Sequence, residues 1–309
     1  MQDKVRRNIE LAAMCGAGPA ALVTIALMTI RPRTVEEAID FVHAHRDDIT
    51  EASRVRSGPT RLAELEPELR GAEEIARVVP EASDHEIRGR RVFRDLVGKR
   101  SFVQVAAFAI DGVELSRGDA DLLEQLGINT QLLDPGIWPI NVIRRVAAHA
   151  DFTHAVTAGV CAMLNPNMAV APVGAFMQVL DRLEDGIRAG KSVEEMLDLW
   201  TSRGERIAGV GRPVLGPDER NAQVHALARQ HGCDLGSSYR LAQRVDAHFR
   251  RKKRIAINSA GLQGAIMRDM GFTARGASAF CVLYFMVPIL AHATFGEIAG
   301  KTAGHAPAA

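Results

Sequence analysis

Apolar residues recur every three or four positions through most of the chain, which is the spacing of amphipathic helices. The pattern is regular over residues 120–126, 176–183 and 224–228. Thr34 and Ser192 are each followed three residues later by a glutamate, the pattern of a helix-starting capping box. Val/Ile alternation is rare and aromatic residues make up 5% of the chain, so a sheet of any size is not expected. We predict an all-α fold.

Clusters of Gly, Pro and Asn interrupt the helical pattern and predict loops. They fall at 56–59, 70–72, 133–136, 164–167 and 209–217. None is long enough to be a disordered linker, and we find no internal repeat. The residues after Lys301, with a Gly, a Pro and terminal alanines, predict a frayed tail over 301–309.

Residues 11–30 carry no charge and follow a basic start, so they could pass for a signal peptide or a short membrane span. Gly16, Gly18 and Pro19 interrupt the segment, no small-residue cleavage site follows it, and amphipathic sequence continues directly. We interpret the segment as a helix packed inside the protein or in a subunit interface, and expect no membrane partner. With the apolar run at 279–291, it favours an oligomer.

Length and composition indicate the number of domains and argue against one class of partner. A chain of 309 residues, 47% hydrophobic and 24% charged, is long enough for one large helical domain and a smaller one. Lys and Arg number 38 against 37 for Asp and Glu, so the net charge of +1 gives no reason to expect a nucleic acid partner. The four cysteines lack the spacing of a zinc site or a disulfide framework, which is typical of buried thiols in a reducing cytoplasm.

Two segments near the end of the chain carry a family resemblance. Residues 207–220 read IAGVGRPVLGPDER and residues 258–272 read NSAGLQGAIMRDMGF. Together with LDPG at 133–136 and LAHATFGE at 290–297, in this order, they resemble the citrate synthase family, including its citryl-CoA lyase and ATP-citrate lyase branch. The resemblance covers about two thirds of the chain.

The resemblance implies a citrate synthase-like helical homodimer whose large and small domains close over an acyl-CoA and a keto acid. We assign 86–300 to this region, with the small domain at roughly 176–270 inserted in the large one. Residues 1–85 are then an N-terminal helical segment of uncertain assignment.

The family's catalytic positions are replaced in this chain. The family uses an Asp to remove a proton, one His to hold the enolate and another His to polarise the ketone. Its His-Gly-Gly-Ala motif is matched by PVGA at 172–175, its Gly-His-Pro motif by Gly211-Arg212-Pro213, and its Asp by Ser259 or Ala260. A further family His is matched by Pro135, and a carboxylate-binding Arg of the last helix falls near Phe285. Without a base, ordinary citrate synthesis is not expected.

Arginines remain where the family contacts the ketone, the carboxylate and CoA. Arg212 and Arg220 are fixed cations suited to a carboxylate or an enolate oxygen. Carbon–carbon cleavage by decarboxylation or by a retro-aldol or retro-Claisen step generates an enolate without proton abstraction from carbon, so it tolerates loss of the Asp. We therefore predict Arg212, Ser259 and His292 as catalytic, His292 being a candidate proton donor. A simpler interpretation of Arg212 is a surface ion pair with Asp218 or Glu219.

Further polar residues are candidates for binding. We predict substrate contacts from Arg220, Asn165, Asn167, Asn258 and His154, and contacts to CoA phosphates from Lys253 and Arg254 in the basic run 250–254. Core histidines, loop geometry and a solvated helix end explain the same residues without a ligand. No cofactor is required, and CoA would enter as part of the substrate. His43 and His45 do not share a helix face, so no metal is expected.

Three functions stay open at this point. The first is a lyase acting on a small carboxylate or CoA thioester. The second is a catalytically inactive homologue that serves as a scaffold or regulatory subunit. The third is a ligand-binding protein that keeps the cleft without turnover. A cleft with converging arginines would favour the first or the third.

Overall fold

The computed structural model describes residues 35–45, 75–131, 137–164, 170–212 and 218–303. The chain divides into two compact units, Met1–Ile75 and Ala76–Ala309. In the first unit the described element is helix α1, Val35–Ala44, where the rings of Phe41 and His45 stack at 4.2 Å. The apolar segment 11–30 and the capping residue Thr34 lie outside the described residues.

The second unit starts with a small antiparallel sheet that our sequence analysis did not predict. Its strands are β1, Ala76–Val79, β2, Asp84–Ile87, and β3, Arg90–Arg91, in the order β1-β2-β3. The strands have two to four residues each, and only β1 is mostly exposed, so they are too short to show the alternating pattern that would reveal them. The buried Asp84 carboxylate anchors the sheet by accepting hydrogen bonds from the backbone of His85, Phe93 and Arg94.

Helices form the remainder of this unit, which confirms the predicted all-α class. A short π-helix, Val92–Leu96, follows the sheet. The α-helices are α2, Phe102–Asp111; α3, Arg117–Asn129; α4, Trp138–His149; α5, Phe152–Met163; α6, Ala171–Arg188; α7, Val193–Ser202; α8, Asn221–Gln230; α9, Ser237–Lys253; α10, Ser259–Asp269; and α11, Ala274–Ala303.

Side-chain caps define several helix starts. Ser192 and Glu195 form the predicted capping box at α7, and Ser101 and Ser116 start α2 and α3 in the same way. At the other end of the chain, α11 remains helical to Ala303, three residues into the segment that we expected to be frayed. Cys281 is buried as expected, but Cys233 is only partly buried and Cys161 is exposed, so the expectation of buried thiols is wrong for Cys161.

Helix α11 lies at the centre of the second unit and contacts α2, α3, α4, α5, α6 and α10. Pro288 is inside this helix and has no N–H to donate to the carbonyl four residues earlier, that of Tyr284. Gln131 Nε2 donates to the Tyr284 oxygen at 3.2 Å, so that carbonyl keeps a partner. The proline is thus accommodated by a side chain that follows α3.

Within the described residues, the stretch Ala274–Gly296 of α11 is long and apolar enough to cross a membrane by length and composition, with a mean hydropathy of 1.8. Part of this stretch packs in the core: Phe280 and Ile289 are each 1% exposed, whereas Val287 and Leu290 are 58% and 40% exposed. Packing within the helical unit therefore accounts for part of this composition.

Helices α6, α10 and α11 approach one another closely through glycines. A Cβ on Gly174 of α6 would lie 2.2 Å from the Ala274 oxygen at the start of α11. A Cβ on Gly264 of α10 would lie 2.6 Å from the Val173 oxygen of α6. Ser278 strengthens the first contact, since its hydroxyl accepts from Gly174 N and donates to Val170 O, both at 3.1 Å.

We expect Gly174→Ala to lower the free energy of unfolding by about 1–3 kcal/mol, because the added methyl group forces backbone apart in a packed core. Gly118→Ala is the matched control, since Gly118 is also helical and its Cβ would meet nothing nearer than 3.9 Å. Urea unfolding of both variants measures the difference. Equal stability of the two variants would contradict the proposed close packing.

Candidate functional site

Two chain segments meet at the N-terminus of α10 and form the base of the candidate site. Gly211 N donates to the Ala256 oxygen at 2.8 Å, and Asn258 N donates to the Gly209 oxygen at the same distance. A β-bridge between Val210 and Ile257 continues this pairing. The two segments that carry the family resemblance are thus joined by backbone hydrogen bonds.

Glycine is required at two positions of this junction. Gly209 has a φ of +73° and its oxygen would lie 2.7 Å from a Cβ on Gly261. A side chain at either residue would separate the loop from the first turn of α10. The two glycines therefore allow the loop backbone to lie in contact with the first turn of α10. They thereby set the distance of Arg212 from that helix.

Asp218 is the buried anion of the site. Its side chain is 1% exposed. Its two carboxylate oxygens accept hydrogen bonds from Nε and Nη2 of Arg220, each at 2.8 Å. Ser259 N, at the start of α10, donates to the same carboxylate at 2.9 Å. Burial raises the pKa of the Asp218 carboxyl, but Arg220 and the Ser259 N–H together outweigh it and hold the pKa below its usual value.

Arg212 is attached more loosely than Arg220. Its Nη1 atom lies 2.5 Å from Glu219 Oε2 and 3.8 Å from Asp218 Oδ1. The Glu219 side chain is 71% exposed, whereas that of Arg212 is 19% exposed. Arg212 Nε is buried and makes no hydrogen bond to the residues that the structure describes. The ion pair that we offered as the simpler interpretation of Arg212 is therefore present.

Asn258 and Ser259 hold the helix start in place. The Asn258 side chain accepts from Gly261 N as the N-cap of α10 and donates to the Gly211 oxygen at 2.8 Å. Ser259 is buried in the first turn. Both predicted site residues thus lie beside Arg212, Asp218, Glu219 and Arg220, and these six residues are called the cluster below. The hydrogen bonds of the Asn258 side chain connect α10 with the Arg212 loop.

Two asparagines outside the predicted set support this arrangement. Asn221, buried at the start of α8, donates to the Ile257 oxygen at 2.7 Å. Asn129, the last residue of α3, donates to the Arg220 oxygen at 3.2 Å.

Sequence reasoning also missed the structural role of Asp218, although its position two residues before Arg220 was a usable signal. An acid beside an arginine in a loop does not reveal by itself which one is buried.

Other predicted residues lie elsewhere on the structure. His154 is exposed on the first turn of α5, with Nδ1 2.8 Å from Asp151. His292 is half-buried on α11, between Ile289, which faces Gly159 of α5, and Gly296, which faces Ala147 of α4. Its position on α11 is eight residues, or about 12 Å of helix, beyond Tyr284. Asn165 and Asn167 lie outside the described residues.

The predicted CoA-binding residues lie at the edge of the cluster. Lys253 ends α9, and Arg254 follows it with a φ of +53°, two residues before the Ala256 carbonyl that binds Gly211. Both side chains are exposed. Arg250 and Lys252 of the same run instead pair with Asp246 and Asp198.

The positions at which the family's catalytic groups are expected are mainly apolar here. Pro172 and Val173 occupy the first turn of α6, and Val173 is buried. Phe285 is part of the core of α11, with 4% of its surface exposed. Ala260 packs against the same core from the first turn of α10. Pro135 lies outside the described residues. Among the described residues, no group of three or more His, Cys, Asp and Glu side chains is arranged to hold a metal ion.

The helical architecture and the glycine-rich loop at the start of α10 define a citrate synthase-like fold. Residues 142–295 match the family model of the citrate synthase C-terminal domain, a range that includes the whole cluster. The chain belongs to the citrate synthase superfamily. No curated protein sequence matches it significantly.

Solved structures share this fold at low sequence identity. Citryl-CoA lyase from Hydrogenobacter thermophilus is 22% identical with a TM-score of 0.64, covering 73% of this chain and 86% of its own. ATP citrate lyase from Methanothrix soehngenii, solved with citrate and coenzyme A, is 17% identical with a TM-score of 0.56. That match covers 92% of this chain, which spans about half the length of the lyase. Citrate synthase from Thermoplasma acidophilum is 15% identical with a TM-score of 0.51, covering 96% and 73%.

We expect Asp218→Asn to lower the free energy of unfolding at pH 7 by about 3 kcal/mol, because it removes the charge that compensates Arg220 in a buried pair. A carboxyl with a lowered folded-state pKa stabilises the protein above its unfolded-state pKa and loses that contribution as pH falls through the folded-state value. The difference between wild type and variant should therefore shrink in acid.

Urea unfolding at pH 7 and at successively lower pH measures this difference. Asp121→Asn is the control, because Asp121 pairs with Arg117 on the exposed face of α3 and should contribute less than about 1 kcal/mol. An Asp218→Asn variant as stable as the control would contradict the anchoring role of this carboxylate.

Proposed function

We propose that this protein is a carbon–carbon lyase of the citrate synthase fold, acting on a small carboxylate or a CoA thioester. The observation that carries the proposal is the pair of arginines at the N-terminus of α10, of which Arg212 has only an exposed carboxylate as a close partner. A cation of this kind, next to the N–H groups of a helix start, favours a negatively charged ligand. The lyases named above share the fold and give the reaction class.

The residues fit cleavage better than condensation. In a retro-aldol step the substrate hydroxyl gives its proton to solvent and becomes a carbonyl as the carbon–carbon bond breaks. The electron pair of that bond moves onto the thioester carbonyl as an enolate, which then takes a proton from solvent at carbon. In a decarboxylation, CO₂ leaves and the same enolate forms. Arg212 would stabilise the charge on the enolate oxygen. Replacement of the family's Asp by Ser259 or Ala260 removes the base that condensation requires, and we propose that this replacement has changed the reaction rather than abolished it.

The remaining roles are part of the same proposal. Arg220, through Asp218, and Asn258, through Gly211 and Gly261, hold the substrate side of the cluster in position, and Ser259 is buried next to them. Lys253 and Arg254 supply exposed positive charge at the cluster edge, which suits CoA phosphates. His292, half-buried on α11, is the proposed proton donor. We further propose a homodimeric, cytoplasmic protein, as the family resemblance and the cysteine pattern imply.

A specific observation favours the second candidate function, an inactive homologue acting as a scaffold, regulatory subunit or ligand-binding protein. Both arginines of the cluster already contact carboxylates of the chain itself. On the family resemblance, Pro172 at the start of α6 also stands where the family has one of its histidines. In this alternative the cluster stabilises the fold and no longer performs chemistry.

Arg212→Ala should reduce cleavage of a CoA substrate by about 100-fold or more, since removal of one group that stabilises an oxyanion has this effect. Thermal unfolding should change little, because the close partner of Arg212 is the exposed Glu219, and an ion pair with an exposed partner contributes about 0–1 kcal/mol. The assay incubates purified protein with citryl-CoA and related thioesters and separates the CoA products by chromatography. Thermal-shift titrations with CoA, acetyl-CoA, citrate and oxaloacetate report binding.

Arg117→Ala is the matched control, because Arg117 forms an exposed ion pair on α3. It should retain full activity and binding. If the wild-type protein cleaves none of the thioesters and shifts with none of the ligands, the scaffold function replaces the lyase. Turnover that survives in Arg212→Ala would remove this residue from the mechanism.

A further inference from the structure

We propose that Arg212 is the carboxylate receptor of the cluster and that Glu219 occupies it in the absence of ligand, while Arg220 is a positioning residue held by Asp218. This inference rests on the proposed function in that it takes the cluster to be the ligand site. It goes further by separating the two arginines and by naming a residue of the chain as an internal competitor for the substrate.

The hydrogen bonds of Arg220 show why it is the fixed member of the pair. Its Nε and Nη2 atoms form a bidentate contact with the Asp218 carboxylate, and its backbone N–H adds a third hydrogen bond to the same group at 3.2 Å. The carboxylate is buried and also binds Ser259 N. A ligand carboxylate that displaced Asp218 would leave a buried charge uncompensated, which is strongly unfavourable.

Arg212 and Arg220 are similarly exposed, at 19% and 23%, but they differ in geometry and in the exposure of the carboxylate that each one binds. Its single close anion is Glu219, bound through one nitrogen, Nη1, while Asp218 stands further away at 3.8 Å. Because the Glu219 side chain is 71% exposed, it can leave for solvent at little cost, while Arg212, which is 19% exposed, keeps the Asp218 carboxylate at 3.8 Å. Glu219 makes a single contact with the guanidinium. After its departure, the guanidinium could bind a ligand carboxylate through two parallel hydrogen bonds.

The surroundings favour an anion at the vacated position. Asp218 is neutralised by Arg220, so the cluster carries one excess positive charge once Glu219 has moved away. Two N–H groups at the start of α10 are already used, since Ser259 N donates to Asp218 and Gly261 N donates to Asn258, so the attraction for an anion comes from the charge of Arg212 and from the helix dipole. The backbone before Arg212 is held because the Gly209–Gly211 segment is hydrogen-bonded to Ala256 and Asn258. The receptor is therefore anchored through the preceding backbone, and its occupant is exposed.

An internal competitor lowers apparent affinity by the fraction of molecules in which the receptor is already occupied. Glu219→Gln keeps the size of the side chain and removes its charge. It should tighten the dissociation constants of citrate and oxaloacetate by roughly two- to five-fold, the range that an exposed ion pair can impose. Isothermal titration of the full-length protein with each anion measures the change.

Two further variants complete the test. Glu194→Gln is the control, because it removes the same charge from an exposed ion pair with Arg244 that does not involve Arg212. The affinity of this variant for both anions should equal that of the wild type. Arg212→Gln combined with Glu219→Gln should abolish the gain, since the receptor is then absent.

The inference is overturned if Glu219→Gln binds neither anion more tightly than the wild type, including the case in which neither protein binds them. It is also overturned if the gain persists in the double variant or appears equally in Glu194→Gln. Tighter binding without cleavage of any thioester would refute the lyase and leave the receptor standing, so the two failures are distinguishable.

Discussion

The candidate site depends on the hydrogen bonds that the buried carboxylate of Asp218 accepts. This carboxylate is the common partner of the Arg220 guanidinium and of the first N–H of α10, and it lies within 4 Å of Arg212. A buried charge is tolerated only when its hydrogen-bonding capacity is fully used, and here the partners come from a loop and from a helix start. The same group thus compensates a cation and fixes the relative position of the two segments.

Helix packing gives this electrostatic arrangement a rigid support. The glycines at 174 and 264 allow α6, α10 and α11 to approach at backbone distance, and the glycines at 209 and 261 allow the Arg212 loop to lie directly on α10. These contacts leave no room for a side chain, so the register between loop and helix cannot shift by small adjustments. Helix α10 is therefore held by its contacts with the neighbouring helices, and its first turn is held by the Arg212 loop.

Sequence reasoning predicted the fold class and the position of the cluster because both leave local signals. Helical periodicity and the Ser192 capping box are readable within a few residues, and the Gly211-Arg212 and Asn258-Ser259 segments carried the family resemblance. The sheet at 76–91 was missed because its strands are too short to show alternation. The support of the Tyr284 carbonyl by Gln131 joins residues 153 positions apart, a relation that no local pattern contains.

The division of labour within the cluster could not be derived from the sequence for a related reason. Arg212 and Arg220 lie in one loop with Asp218 and Glu219 between them, and composition assigns either acid to either base. Burial decides the pairing: the acid under the loop becomes the permanent partner of Arg220, and the acid on the surface becomes a partner that solvent can replace. An arginine cannot exchange a proton at neutral pH, so the contribution of Arg212 is restricted to charge and hydrogen bonds. Such a group suits a reaction that leaves electrons on an oxygen and does not suit one that must move a proton from carbon.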